Sequence, residues 1–301
     1  MQVDLIGALA GIFSAIFFAV SLVYIRRAMT TGDPVEATFG ATGVSALMFL
    51  PFLVFYFPDY GLDWVVILAF VASGISANFI GRIFFYAGTQ RVGASRTMPI
   101  SRGNLLVAAL LGIFVLGEVI NLGHFAGILV LTGGLVLVGH EIAVTPSSSA
   151  VDSGSRGGRL LDFFFPVGAM FLLGFAVLFD KIGLGGETPF TVGLAIKFSA
   201  AAIGLIIFML VRGDSPIESF RVEEKWLYFG GGVTSGIALG FLYFALNISR
   251  VVVVIPFYSL SPLFMLIFSH YYLERLEEIT KILVFGTILV VLGALLTGVF
   301  M

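Results

Sequence analysis

Apolar residues run through this chain in blocks longer than any soluble core helix needs, and charged residues fall between the blocks. Asp4 and Arg26 bracket a run without one formal charge, as do Glu36 and Asp59, Asp162 and Asp180, Lys225 and Arg250, Arg250 and Glu274, and Lys281 and the C-terminus. A helix needs ~20 mostly apolar residues to cross hydrocarbon. The pattern therefore predicts an all-α membrane protein with ten spans, near 5–25, 36–57, 64–88, 95–116, 122–141, 162–181, 188–211, 226–248, 251–273 and 280–300. Spans 3, 4 and 7 carry internal charge.

The blocks repeat. Arg26 and Lys181 each end the first span of a half (181 − 26 = 155), and Pro34 and Pro189 each precede the second (189 − 34 = 155). Phe84, Tyr86 and Pro99 recur 157 residues later as Phe241, Tyr243 and Pro256. Gly127, Gly134 and Gly139 recur 159 residues later as Gly286, Gly293 and Gly298. Five spans per half is an odd number, so the two halves cross the bilayer in opposite directions, the inverted-repeat arrangement of alternating-access carriers. Between them lies TPSSSAVDSGSRGGR at 145–159, too polar and too rich in Ser and Gly to bury apolar area. The expected organisation is a first repeat over 1–144, a polar linker over 145–161 and a second repeat over 162–301.

Composition narrows the class. The chain is 59% hydrophobic and 11% charged, far below the roughly 25% charged residues of soluble domains, with a mean hydropathy of +1.09. A net charge of −2 without a basic stripe gives no reason to expect nucleic acid. The absence of Cys excludes disulfides, iron–sulfur clusters and thiolate chemistry. The first block begins at residue 5 without a basic leader segment and reads as a retained span. With the N-terminus outside, the cytoplasmic loops collect Arg26, Arg27, Arg91, Arg96, Arg156, Arg159, Arg212, Arg221, Lys225, Arg275 and Lys281, while the outer loops keep Lys181 and Arg250. Eleven against two places both termini outside by the positive-inside rule.

Three stretches carry a family resemblance: ALAGIFSAIFFAVSLVYIRRAM in span 1, TVGLAIKFSAAAIGLIIFML in span 7, and FFYAGTQRVGASRTMPISRGNLLVAALLGIFVLGE followed by Gly127. With Leu116, Gly117 and Glu118 and the Gly-rich fifth span, the chain resembles the two-domain EamA-type members of the drug/metabolite transporter superfamily over nearly its whole length. It departs at Phe18 and Ala19, where the family often has Trp-Gly, and at Thr42 and Gly43, where it often has Arg-Phe. Family members commonly keep both termini in the cytoplasm, opposite to the charge count. The resemblance implies a central cavity lined by spans 1, 3 and 4 of one half and 6, 8 and 9 of the other. It also implies that the basic residue of span 7, Lys197, stands outside that cavity.

The residues themselves mark overlapping positions. An ionisable group at membrane depth costs a few kcal/mol on insertion scales and belongs against protein or a wet cavity. Arg82 and Arg102 are such groups. Arg82 precedes Tyr86 by four residues and shares its helical face. Arg102 follows Pro99 by three, where the ring removes a backbone hydrogen bond. Ser21, Asn78, Ser101, Asn104, Tyr243, Asn247, Tyr258 and Ser259 complete the candidate solute path. Pro99 and Pro256 mark paired hinges. Trp64, Trp226, Tyr60 and Tyr228 suit an interfacial aromatic belt, and Glu118, Glu141, Asp180 and Glu36 read as caps or loop charges.

No HExxH, no P-loop and no Gly-x-Ser-x-Gly nucleophile lies in a span, so neither intramembrane proteolysis nor intrinsic ATP hydrolysis has its residues. No cofactor or metal is expected. The reading is a non-enzymatic cell-membrane carrier of a small organic solute, anionic or zwitterionic, surrounded by lipid, as a monomer or homodimer. A passive channel or a non-transporting receptor is the alternative.

Overall fold

The computed structural model describes residues 2–56, 63–116, 122–144, 156–186, 188–216, 223–249, 251–274 and 276–299. Tyr60, Glu118 and most of the expected linker lie outside these. Among the described residues nine helices are long and apolar enough to span a membrane, and Lys281–Thr297 is a shorter apolar helix in the tenth place. The ten are span 1 (Gln2–Ala28), span 2 (Pro34–Phe49 with Pro51–Phe55), span 3 (Trp64–Val92), span 4 (Ala94–Ser101 and Asn104–Leu116), span 5 (Leu122–Val144), span 6 (Arg156–Leu184), span 7 (Phe190–Arg212), span 8 (Lys225–Ile248), span 9 (Val251–Tyr258 and Ser261–Tyr272) and span 10 (Lys281–Val299). Their outer surface is apolar, as at Val54, Phe114, Leu122 and Val211, each about four-fifths exposed. A soluble domain does not expose side chains of this size over its whole girth. Lipid faces do.

Ion pairs fix the direction of the crossings. Arg26 at the end of span 1 meets Glu277 just before span 10 at 3.1 Å. Arg91 at the end of span 3 meets Asp162 near the start of span 6 at 2.9 Å, and Arg96 at the start of span 4 meets Glu141 at the end of span 5 at 2.7 Å. One face thus holds the ends of spans 1, 3 and 5 and the starts of 4, 6 and 10. Span 1 runs towards that face and its repeat mate, span 6, runs away from it, so the halves are inverted.

Contacts obey the same symmetry. Span 1 lies on spans 8 and 9, and its mate, span 6, lies on spans 3 and 4. Spans 2 and 7 pack on each other, as do 5 and 10. Lipid tails are as apolar as Leu, so close packing and interhelical hydrogen bonds hold such a bundle rather than burial from water. Spans 5 and 10 show the first device: a Cβ on Gly134 would lie 2.5 Å from the Val290 nitrogen, and one on Gly293 2.2 Å from that of Leu131. The second device is a set of hydroxyls. Ser14 and Ser21 of span 1 donate to the Ala238 and Gly231 carbonyls of span 8, each at 2.7 Å, and Ser76 of span 3 donates to Leu172 of span 6 at 2.7 Å.

Trp64 and Trp226 are about three-quarters exposed at span ends, as an interfacial belt requires. Tyr228 is not part of it. At 2% exposure it fills the space left by Gly32 and Gly40, against the turn between spans 1 and 2.

Candidate functional site

Spans 4 and 9 break at equivalent places. Ala94, Ser101 and Asn104 delimit the two pieces of span 4, and Val251, Tyr258 and Ser261, each 157 residues on, delimit those of span 9. Pro99 and Pro256 sit in the last turn before each break. The backbone there tightens into i→i+3 bonds: Gly103 N–H donates to the Ile100 carbonyl at 2.9 Å, and Leu260 N–H to that of Phe257 at 3.2 Å. Proline cannot donate, and a tightened turn satisfies the groups that the α pattern abandons.

Arg102 occupies the first break, about 12 Å along span 4 at 1.5 Å per residue. Its side chain is buried and donates to the Ser261 hydroxyl across the second break. Its guanidinium carbon lies 4.1 Å from the centre of the Tyr258 ring and 5.7 Å from that of Phe18. Phe18 in turn meets Phe85 at 6.3 Å, and Phe85 meets Tyr86 at 6.0 Å. Spans 1, 3, 4 and 9 therefore converge on one cation.

Arg82 stands elsewhere. It follows a π-helical stretch, Gly74–Gly81, that pattern reading did not foresee. Widened turns of this kind free backbone carbonyls and cluster at functional positions; here the Asn78 carbonyl accepts from the Thr42 hydroxyl at 3.1 Å. The Arg82 guanidinium donates to Thr42 at 3.4 Å and to Ser235 at 3.1 Å, with the Phe198 ring 5.7 Å away. Ser235 is the repeat mate of Asn78 (235 − 78 = 157), so the repeat arithmetic reaches it although inspection of span 8 did not.

Charge compensation separates the buried cations. Arg26, Arg96 and Lys197 each face a carboxylate, respectively Glu277, Glu141 and Asp180. Among the described residues Arg82 and Arg102 face hydroxyls and aromatic rings instead.

The other candidates divide by what they touch. The Ser21 hydroxyl is committed to Gly231 and that of Ser101 to the Thr97 carbonyl at 2.9 Å. Tyr243 receives the Lys197 ammonium at 3.2 Å. Asn247 is exposed near the end of span 8. The side-chain oxygens of Asn78, Asn104 and Ser259 are buried without a hydrogen-bond partner, and such groups cost about 1–3 kcal/mol each unless something fills the vacancy. Tyr258, Ser259 and Arg102 lie at the breaks; Asn78, Arg82 and Tyr243 belong to the layer where spans 2, 3, 7 and 8 meet.

Glu141, expected as a cap or loop charge, is buried, and so is Glu277, which the sequence did not single out. Glu141 takes Arg96 in a bidentate pair at 2.7 and 2.8 Å and is 1% exposed. Glu277 accepts from the Ala94 and Ser95 backbone N–H groups at 2.5 and 2.9 Å, capping span 4, and also from Ser269 at 3.1 Å. A carboxylate is favoured at a helix N-terminus by its unpaired N–H groups and dipole. Gly93 turns the chain into that cap at φ 94°, a left-handed backbone that side chains disfavour. These contacts tie the start of span 4 to the segment before span 10 and, through Arg26, to the end of span 1.

An inverted bundle of ten helices, broken at matched points around a buried cation, is the architecture of a membrane transporter. Residues 5–139 and 161–299 both match the model of the EamA-like transporter family, and the chain belongs to that family. It is similar to an uncharacterized transporter of Archaeoglobus fulgidus, 23% identical over 291 residues that cover 96% of each chain. Its fold is that of a solved chain described as a crystal structure of protein, with a TM-score of 0.63, 16% identity and coverage of 96% and 95% of the two chains.

Proposed function

We propose that this transporter is a secondary carrier of a small organic anion or zwitterion, worked by alternating access, with Arg102 receiving the solute's acidic group. The observation that carries this reading is that, among the described residues, Arg102 meets a hydroxyl and two aromatic rings and no carboxylate. A guanidinium stays charged at any physiological pH, and a charge in a membrane interior normally acquires a partner. Arg26, Arg96 and Lys197 have theirs within the chain. Arg102 has a single hydroxyl and two ring faces, leaving most of its five donors for an incoming acid. Tyr258, Ser259, Asn104 and Tyr86 then supply the polar and aromatic lining. Arg82 and Asn78 form a second polar layer further along span 3.

The two repeats, 1–144 and 162–301, act as the moving units, and the breaks in spans 4 and 9 are the places where each yields. The cation-rich face, which the ion pairs close, is the cytoplasmic one by the positive-inside rule. A cysteine placed at Ser215 is therefore shielded from an impermeant thiol reagent in intact cells, and one at Asp63 is labelled; the reverse pattern inverts the topology.

The test of the site is a thermal-shift panel of carboxylates, phosphates, zwitterions and cations on the purified protein, since a ligand of the folded state raises its stability with concentration. Arg102→Gln weakens the binding acid by about 1.5–3 kcal/mol, the worth of a charge-assisted hydrogen-bonded contact, or roughly ten-fold or more in Kd. If the variant binds every hit as wild type does, Arg102 is a structural anchor and the preference for anions falls with it.

A further inference from the structure

The layer opposite the ion-paired face contains a second buried charge cluster that the solute-binding reading does not use. Lys197, 4% exposed in span 7, holds both oxygens of Asp180 in span 6 at 2.9 and 2.7 Å. Ser73 of span 3 donates to the same carboxylate at 2.6 Å, and the ammonium also reaches the Tyr243 hydroxyl of span 8 at 3.2 Å. Four spans from both repeats meet at one carboxylate.

Three observations argue that the pair is more than packing. The repeat mates of Asp180 and Lys197 are Ile25 and Thr42 (180 − 155 = 25; 197 − 155 = 42), both completely buried and uncharged, and although Arg82 donates to Thr42, the same fold fills these two positions without an ion pair. An ion pair in a low-dielectric interior is commonly no more stabilising than well-packed apolar side chains of similar volume, so stability does not explain why one half carries it. Asp180 also lies only four residues from the end of span 6, about 6 Å along the helix, and its side chain keeps 18% of its surface accessible. It is within reach of the outer solution where Lys197 is not.

We propose that Asp180 is the proton-binding site that couples this carrier to the proton gradient, a proposal that rests on the carrier reading. Asp180 takes up one proton at a carboxylate oxygen from the side opposite the closed face, while Lys197 keeps its own, so the pair passes from net zero to one positive charge. The ammonium then has lost its counter-ion and keeps only Tyr243, which loosens the junction of spans 3, 6, 7 and 8. Loss of the proton restores the pair and the junction. The charged and titratable groups around Asp180 are few. Lys197 and Tyr243 face it from spans 7 and 8; Arg82 lies further along span 3, over Phe198. Lys181 follows it on its own helix and is exposed. Of the groups on spans 4 and 5, which also touch span 6, Arg96 and Glu141 hold each other and Arg102 lies at Ser261, while His124 and His140 stand on span 5.

The test needs no solute, so its failure is distinct from failure of the carrier reading. The purified chain in liposomes is titrated from about pH 8 to pH 5, a range over which ordinary carboxylates stay mostly ionised, while infrared difference spectra follow the carbonyl stretch of protonated carboxyl groups. Spin labels on cysteines at Leu184 and Phe244, both exposed in a cysteine-free chain, report the distance between the ends of spans 6 and 8. Wild type gains one carboxyl band and changes that distance over the same titration, and Asp180→Asn abolishes both. A second variant, Asp180→Ile with Lys197→Thr, copies the first repeat; it folds as a monodisperse protein and shows neither change. The proposal is overturned if wild type shows no band, if either variant keeps the band or the distance change, or if the double variant cannot fold, which would make the pair structural.

Discussion

Arginine chemistry decides the account at the scale of single residues. Arg96 and Arg102 stand six positions apart on one span and are both buried, yet one is neutralised by a bidentate carboxylate and the other is not. Breaking a buried pair costs on the order of 3–5 kcal/mol, so Arg96 and Arg26 are anchored by their carboxylates, whereas Arg102 meets a single hydroxyl among the described residues and, on the proposed reading, is free to take an acid. Arg102→Lys consequently recovers only part of the affinity lost in Arg102→Gln, because a point charge replaces a planar fork; full recovery in the same thermal-shift titration would show that charge alone suffices. How far such roles can be read in advance depends on distance along the chain. Arg82 and Arg102 are conspicuous in the sequence because each interrupts an apolar block. Their partners are not, since Ser261 and Ser235 lie 159 and 153 residues away. Glu277 and Asp180 look like ordinary loop charges until folding carries Ala94 and Lys197 to them.

Helices were legible where their cause was local. Apolar length alone places the ten spans within a few residues, and Pro99 and Pro256 announce the breaks. The π stretch at Gly74–Gly81 was not legible, because nothing in GISANFIG departs from an ordinary transmembrane helix. Its neighbourhood is tertiary: a Cβ on Gly74 would lie 2.2 Å from the Lys197 carbonyl oxygen, so only glycine lets span 7 come this close to the start of the stretch. The matched breaks carry their own expectation. A proline inside a helix removes one hydrogen bond, and alanine at Pro99 or Pro256 restores a donor and stiffens the turn at each proposed hinge. Pro99→Ala and Pro256→Ala each lower transport several-fold while insertion and thermal stability stay near wild type or rise. Unchanged transport in both variants would remove the breaks from the mechanism.

At the scale of the molecule, the inverted repeat sets the architecture and its exceptions set the function. Spans exchange contacts in pairs across the two halves, but four of the intramembrane charges do not follow. Arg82, Arg102, Asp180 and Lys197 have Leu239, Ser259, Ile25 and Thr42 as their mates. On the proposed reading a symmetric scaffold rocks between two states, and charges confined to one side of each pair give those states different affinities for solute and proton. Ligand binding shifts such an equilibrium only by its difference in affinity between the states. A passive pore would need no such bistability. Counterflow separates the two most directly: the protein is reconstituted in liposomes, preloaded or not with the acid that emerges from the thermal-shift panel, and uptake of the labelled acid is followed from outside. Preloading accelerates uptake if the site is exposed to one side at a time, as the proposed alternating access requires. Uptake that is equal or slower in preloaded liposomes would contradict alternating access and make the protein a channel.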